Sequence, residues 1–122
     1  MKAVVTMSAT YGTQPQQLKA QIGPGIHLES FEVGNEVYES FAQEGFQMKT
    51  ISQRFPVADG SALFKWHIDL PMCNLQQLLS RGIPQSQISV SEVCTFQQSE
   101  TYFSARRMGI NSGRIFIGIL ML

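Results

Sequence analysis

CTFQQSETYFSARRMGINSGR, residues 94–114, is the stretch around which the rest of the chain is organised. It holds Cys94-Thr95, an aromatic pair at Tyr102-Phe103, Ser104, the adjacent arginines Arg106 and Arg107, a turn region from Gly109 to Gly113, and Arg114. Guanidinium forks pair bidentately with phosphate or carboxylate, and glycine lets the backbone approach, so arginines set among aromatics and glycines suit a small-anion site. Adjacent side chains on an extended segment point to opposite sides, so one of the two arginines faces a given cleft unless the segment turns. The structural alternative is that one of them pairs with an internal carboxylate such as Asp69 while the other is solvated. Downstream, Arg114 to Leu122 is almost continuously apolar and is expected to be a strand buried on both faces.

Upstream, the segments read as a scaffold. Lys2 to Tyr11 places Val4, Met7, Ser8 and Tyr11 at helical spacing with Gly12 as a stop. Thr13 is expected to cap a short turn through Pro15 that ends near Leu18. Lys19 to His27 reads as a strand broken at Gly23-Pro24-Gly25, either a simple turn or a tight backbone approach. Asn35 is the expected N-cap of a helix carrying Val37, Tyr38 and Phe41 on one face, with Gly45 past its end. Phe46 to Gly60 has weak patterning, with a loop or hairpin signalled by Pro56 and Asp59-Gly60. Phe64, Trp66 and Ile68 alternate with Lys65 and His67 as in a half-buried strand.

Asp69 is the expected cap of the clearest helix, with Pro71 in its first turn, Met72, Leu75, Leu78 and Leu79 on its buried face, and Gly82 beyond Arg81. Ile88 to Thr95 alternates in strand period, with Ile88, Val90, Glu92 and Cys94 on one side. There is no internal repeat, low-complexity tract or linker. The expectation is a single α+β domain over residues 1–122, a mixed sheet core of about four strands covered by about three helices.

Composition narrows the function classes. Of 122 residues, 43% are hydrophobic, enough for a real core. Nine basic and nine acidic residues cancel, so no global field holds nucleic acid or an anionic membrane, whereas a small-anion site needs only local charge. No apolar run reaches the roughly 18 residues of a membrane span and no charged leader precedes an apolar core at the start, so no membrane partner is expected. Cys73 and Cys94 lack the spacing of a zinc ribbon or a redox Cys-x-x-Cys and are expected to be reduced thiols in a cytoplasmic protein. His27 and His67 are far apart with no second ligand at helical or strand spacing, so no metal is assigned to this chain. Copper oxidase sites need several His and Cys ligands, and the chain has two of each.

Three segments together resemble one family. These are Ile22-Gly23-Pro24-Gly25-Ile26 followed by Phe31-Glu32-Val33-Gly34 and Glu36-Val37, then Lys65-Trp66-His67-Ile68-Asp69-Leu70, and finally Cys94-Thr95, Tyr102-Phe103-Ser104-Ala105-Arg106-Arg107-Met108-Gly109 and Ser112-Gly113-Arg114. In this order they are similar to the C-terminal half of the laccase-domain proteins, once called polyphenol oxidases. Met108 stands where the pattern has aspartate, and Tyr102 where it has phenylalanine. The resemblance implies half of an α/β/β/α layered fold. It further implies zinc-dependent purine nucleoside phosphorolysis and adenosine deamination, with peptidoglycan editing in some bacterial members.

On that resemblance the zinc and nucleophile motifs belong to an N-terminal half outside this chain, so zinc is a cofactor of the full enzyme and is not bound here. This chain would supply contacts to a purine nucleoside and phosphate, through Arg106, Arg107, Ser104, Phe103, Thr95, Cys94, Gly23 and Pro24, with Arg107 foremost, and would be inactive alone. Ser104 is read as a hydrogen-bond donor or turn residue, because no histidine accompanies it in a nucleophile elbow. Phe103 and Tyr102 either stack a purine ring or belong to the core. Cys94 is either a small buried hydrophobe or, with a depressed pKa, a reactive thiol. The expected partner is the missing half or a second copy. The alternative is a non-catalytic module on the same fold that self-associates or binds another protein through an exposed seam.

Overall fold

The computed structural model describes residues 2–120. Its helices are α1 (Lys2–Tyr11), α2 (Asn35–Gln43), α3 (Met48–Ile51), α4 (Leu70–Ser80) and α5 (Ala105–Met108). Its strands are β1 (Ala20–Ile22), β2 (Glu32–Val33), β3 (Ser52–Pro56), β4 (Phe64–Ile68) and β5 (Ile88–Val90). The class is α+β with two sheets of opposite sense: β2-β4-β3 is antiparallel, and β1-β5 is parallel.

The antiparallel sheet carries the core. In β3–β4, Ser52 lies opposite Ile68 and Arg54 opposite Trp66. Val33, Ile51, Ile68 and Cys73 are buried together, with Phe31, Val37, Phe41, Phe46, Met48, Leu70 and Met72 packed around them. This cluster locks α2, α3 and α4 against one side of the sheet. Two backbone bonds extend the lock beyond the strands, from Asp69 N–H to the Ile51 carbonyl at 2.7 Å and from Ile68 N–H to the Phe31 carbonyl at 3.2 Å.

The alternation expected along Phe64 to Ile68 sorts only part of β4. Phe64, at the hairpin end, is exposed, whereas His67 is buried. His67 Nδ1 lies 2.8 Å from the Leu28 carbonyl, which can only accept, so that nitrogen carries the proton. Its ring also tilts against Phe55 at 4.6 Å. On the other strand face Trp66 stacks on Tyr38 at 4.2 Å and lies under the Arg54 guanidinium at 4.9 Å.

Local chemistry explains the helix ends. Asp69 Oδ1 accepts from Met72 N–H at 2.9 Å, and Pro71 occupies the first turn of α4. A cap of this kind contributes about 1 kcal/mol. At the far end Gly82 has φ +86°, its N–H reaches the Leu79 carbonyl, and Ile83 N–H reaches Leu78. Ile83 and Leu78 are both buried, the apolar contact that accompanies this kind of helix stop. Three sequence expectations shift here. The N-cap of α2 is Gly34 rather than Asn35, because the Gly34 carbonyl accepts the first helical bond from Tyr38 N–H. The turn Pro15–Gln17 starts from Gln14 rather than Thr13, with Gln17 Oε1 accepting from Gln14 N–H. The strand expected over residues 88–95 is regular only for β5, after which the chain rejoins its neighbour at a single bridge, Gly25 to Cys94.

β1 and β5 run in register from Ala20–Ile88 to Ile22–Val90, and α4 provides part of the crossover and packs on β1. A parallel pair is ordinarily an interior part of a wider sheet. Here both outer edges are unpaired among the described residues.

The largest departure is the tail. Residues 114–120 form no strand, and Phe116, Ile117, Ile119 and Leu120 are 95%, 62%, 89% and 81% exposed. Met121 and Leu122, the end of the expected strand, lie outside the described residues. An apolar run becomes a buried strand only if another strand accepts its backbone bonds, and neither sheet of the described residues does so. Helix α1 is similarly uncovered, with no buried residue and with Val5, Met7 and Tyr11 exposed.

The two thiols have opposite settings. Burial, with Asp69 nearby, pushes the Cys73 thiol up to about 11. The folded state therefore favours the neutral thiol, a contribution fully present below the unfolded value near 9 and lost as pH rises towards 11. Stability measured by urea titration should fall across that window, and Cys73→Ala should flatten the slope. An unchanged slope in the variant would remove Cys73 as its source.

Candidate functional site

The site is assembled from three lengths of chain that cross near the end of the parallel sheet. The first is residues 23–32, the second 94–96, and the third 103–109. The bridge between Gly25 and Cys94 joins the first two, with Thr95 N–H donating to the Gly25 carbonyl at 2.9 Å. Thr95, Cys94 and Ser104 are all buried.

Cys94 Sγ lies at the centre of this crossing. It accepts from His27 N–H at 3.4 Å and donates to Ser30 Oγ at 3.7 Å. Burial opposes the thiolate and is the largest single influence. The backbone N–H groups of Gln97, His27 and Phe96 and the Ser30 hydroxyl together outweigh it, and hold the thiol below its ordinary value. His27 Nε2 is enclosed and has no hydrogen-bond partner.

Of the two arrangements left open by the sequence, an extended segment or one that turns, the arginines sit on the second, the single helical turn α5. Ser104 occupies its N-cap position, and the Ser104 carbonyl accepts from Arg107 N–H at 3.1 Å and Met108 N–H at 2.8 Å. The Ser104 side chain makes no cap bond. Successive residues on such a turn diverge by about 100°, so the two guanidinium groups reach different neighbours. Arg106 Nη1 donates to the Glu32 carbonyl at 2.8 Å and its guanidinium lies 5.1 Å from the Phe31 ring centre. Arg107 lies 5.0 Å from the Phe96 ring centre.

Neither arginine pairs with Asp69, which caps α4 instead. Among the described residues the one ion pair is Lys65 with Glu32, at 2.8 Å. The arginine turn is thus a local positive patch on a chain of zero net charge.

Gly23 and Pro24 are set apart from it. They line an open, mainly apolar cleft of about 450 Å³, shared with Leu70, Pro71, Asn74, Leu78 and Ile117. Phe103 is half exposed, and its ring lies where a Cβ on Gly113 would stand only 2.7 Å away. The structure therefore brings Cys94, Thr95 and Arg106 against residues 25–32, seats Arg107 on Phe96 beside Thr95, leaves Ser104 at the start of the arginine turn, and puts Gly23 and Pro24 on the separate cleft. Phe31, Phe96, His27 and Ser30 had been assigned no part at the site. Phe96 follows Cys94-Thr95 directly and Phe31 opens the Phe31-Glu32-Val33-Gly34 match, but cation–aromatic pairing over such separations leaves no spacing signal.

Zinc was implied for the full enzyme. Among the described residues no three His, Cys, Asp or Glu side chains come together as metal ligands. The described residues therefore supply no complete set of zinc ligands by themselves.

The profile of the family described as multi-copper polyphenol oxidoreductase laccase matches residues 1–122. The chain belongs to this laccase family. A purine nucleoside phosphorylase of Bacteroides thetaiotaomicron is 43% identical over 118 residues, which cover 97% of this chain and 42% of that protein. Adenosine deaminase RL5, from an unknown prokaryotic organism, is 42% identical over 118 residues, 97% of this chain and 43% of its own. The crystal structure of YlmD from Geobacillus stearothermophilus superposes with a TM-score of 0.68 at 29% identity, covering 87% of this chain and 37% of that one. This laccase-family chain spans about two fifths of the length of the curated relatives it matches. Among the described residues, no helix is long and apolar enough to cross a membrane.

Proposed function

We propose that this chain is the C-terminal, substrate-contacting portion of a purine nucleoside phosphorylase with adenosine deaminase activity, and that it is inactive alone. The observation that carries the reading is Arg107, a guanidinium seated on Phe96 with no carboxylate beside it, on a turn held to the 25–32 loop by Arg106. The names of two relatives more than 40% identical over nearly the whole chain support the reaction class.

In phosphorolysis a phosphate oxygen forms a bond to the ribose anomeric carbon while the bond from that carbon to the purine nitrogen breaks. Cationic side chains contribute by holding the phosphate dianion in line for attack and offsetting its charge, which is positioning and electrostatic stabilisation rather than covalent catalysis. Arg107 takes that part. Buried Thr95 and Ser104 shape the floor beneath it, Cys94 binds the loop from within, and Gly23, Pro24 and Phe103 form the outer rim of the nucleoside cleft. Zinc belongs to the part of the complete enzyme that precedes this chain, as does deamination of adenosine. The test is phosphate-dependent release of adenine from adenosine, with no product expected from this chain by itself.

A second reading is favoured by a different observation. The parallel pair β1-β5 has two open edges, and the apolar tail and α1 are uncovered. Exposed apolar surface of this kind marks an association face. It suits either the missing half of the enzyme or, in a non-catalytic module, a second copy of this chain. The alternatives separate by solution mass once a polypeptide carrying the preceding part of a relative is added.

A further inference from the structure

We infer that the adjacent arginines have divided roles, with Arg107 the phosphate-binding side chain and Arg106 a positioning residue that aims it. The inference rests on the phosphate-contact reading above and assigns the labour within it.

Three arginines lie in the 94–114 stretch, and two already hold carbonyl oxygens. Arg106 Nη1 donates to the Glu32 carbonyl at 2.8 Å while its flat face lies over Phe31. Arg114 Nη1 donates to the Ser112 and Gly113 carbonyls at 2.7 and 3.1 Å. The Arg107 guanidinium has no hydrogen bond or ion pair to any described residue; it lies over Phe96, and the Glu32 carboxylate is held by Lys65. An aromatic face fixes a guanidinium plane without using its N–H edges, so the five donors of Arg107 remain for a ligand. A planar fork with free edges suits an oxyanion presenting two oxygens, and here that ion is inorganic phosphate.

Arg106 supplies the aim. The turn α5 is four residues long and has no buried residue, so its own packing does not orient it. The Arg106 bond to Glu32 is the one side-chain hydrogen bond that ties this turn to the antiparallel sheet among the described residues. With Arg106 pinned, the roughly 100° step to the next residue sends Arg107 towards Phe96.

The experiment uses the 122-residue chain labelled with ¹⁵N-arginine, recording side-chain Nε–H signals while inorganic phosphate is added at constant ionic strength. Arg107→Lys and Arg106→Lys assign the two signals. In the native chain the Arg107 signal is expected to start upfield, from the Phe96 ring current, and to move with phosphate, while the Arg106 signal stays in place. Arg106→Lys keeps the charge but loses the planar fork. It should weaken phosphate binding by about tenfold and return the Arg107 signal to the position of a solvated arginine, leaving the β3 and β4 amide signals unchanged.

If both arginine signals move equally, the division of roles is overturned and the phosphate reading stands. If neither moves, both fall. Displacement of the β3 and β4 amides in Arg106→Lys would reduce Arg106 to a residue of general stability and overturn its positioning role.

Discussion

Replacing Ile68 with alanine is expected to lower the stability of the fold by about 2–5 kcal/mol, with a melting temperature about 8–20 °C lower at this chain length. Ile68 is 0% exposed, as is Ile51. It closes β4 opposite Ser52, and its N–H reaches across to Phe31. Removing its branched end would leave a cavity among Val33, Ile51 and Cys73, which sit on different elements and do not collapse together. Ile68→Val should cost only about 1 kcal/mol, which separates packing volume from any backbone effect. Urea unfolding followed by circular dichroism gives both values. A loss below about 1 kcal/mol for the alanine variant would mean that this cluster is not the main core.

The second large effect is expected at Gly109, which ends the arginine turn with φ +78° and ψ −160°. That region of backbone space is essentially closed to residues with a Cβ, at a cost of about 1–3 kcal/mol. Nothing lies within 4 Å of a Cβ placed there, so the penalty for Gly109→Ala is purely conformational. Because α5 is short and exposed, the strain should be relieved locally. The Gly109 N–H bond to the Ala105 carbonyl, 2.8 Å in the native turn, would open, and Arg106 and Arg107 would lose their fixed positions. The expected result is a small change in global melting together with fast amide exchange across residues 105–109. Full retention of amide protection at Arg107 and Met108 would contradict it.

The sequence was most legible where structure is made by neighbours. Asp69, Pro71 and Gly82 marked α4 within a residue at each end, because capping acts over one turn and needs no distant partner. The same reasoning slipped by one residue at α2, where Gly34 rather than Asn35 offers the first carbonyl. The strand through Trp66 was also visible, and of the loop or hairpin signalled at Asp59-Gly60 the structure takes the hairpin, joining β3 to β4.

The arginine turn was not, because four residues carry no helical period and the flanking Gly109 signals only an ending. The tail from Arg114 was misread for the opposite reason. Its composition is that of a buried strand, but burial depends on a partner sheet, and composition cannot supply one. At the candidate site the arginines, Ser104, Cys94 and Thr95 were named from the chain alone. The partners of Arg106, Phe31 and Glu32, emerge only when segments more than 70 residues apart are brought together, and Phe96, eleven residues before Arg107, meets it only because the intervening chain folds back.

Release of adenine from adenosine by the purified 122-residue chain, with and without phosphate, tests the central claim most directly. The account predicts no phosphate-dependent product from the chain alone, because in the proposed reading Arg107 and its neighbours position a substrate without completing a catalytic site. Phosphate-dependent adenine release by this chain, free of any second polypeptide, would contradict it.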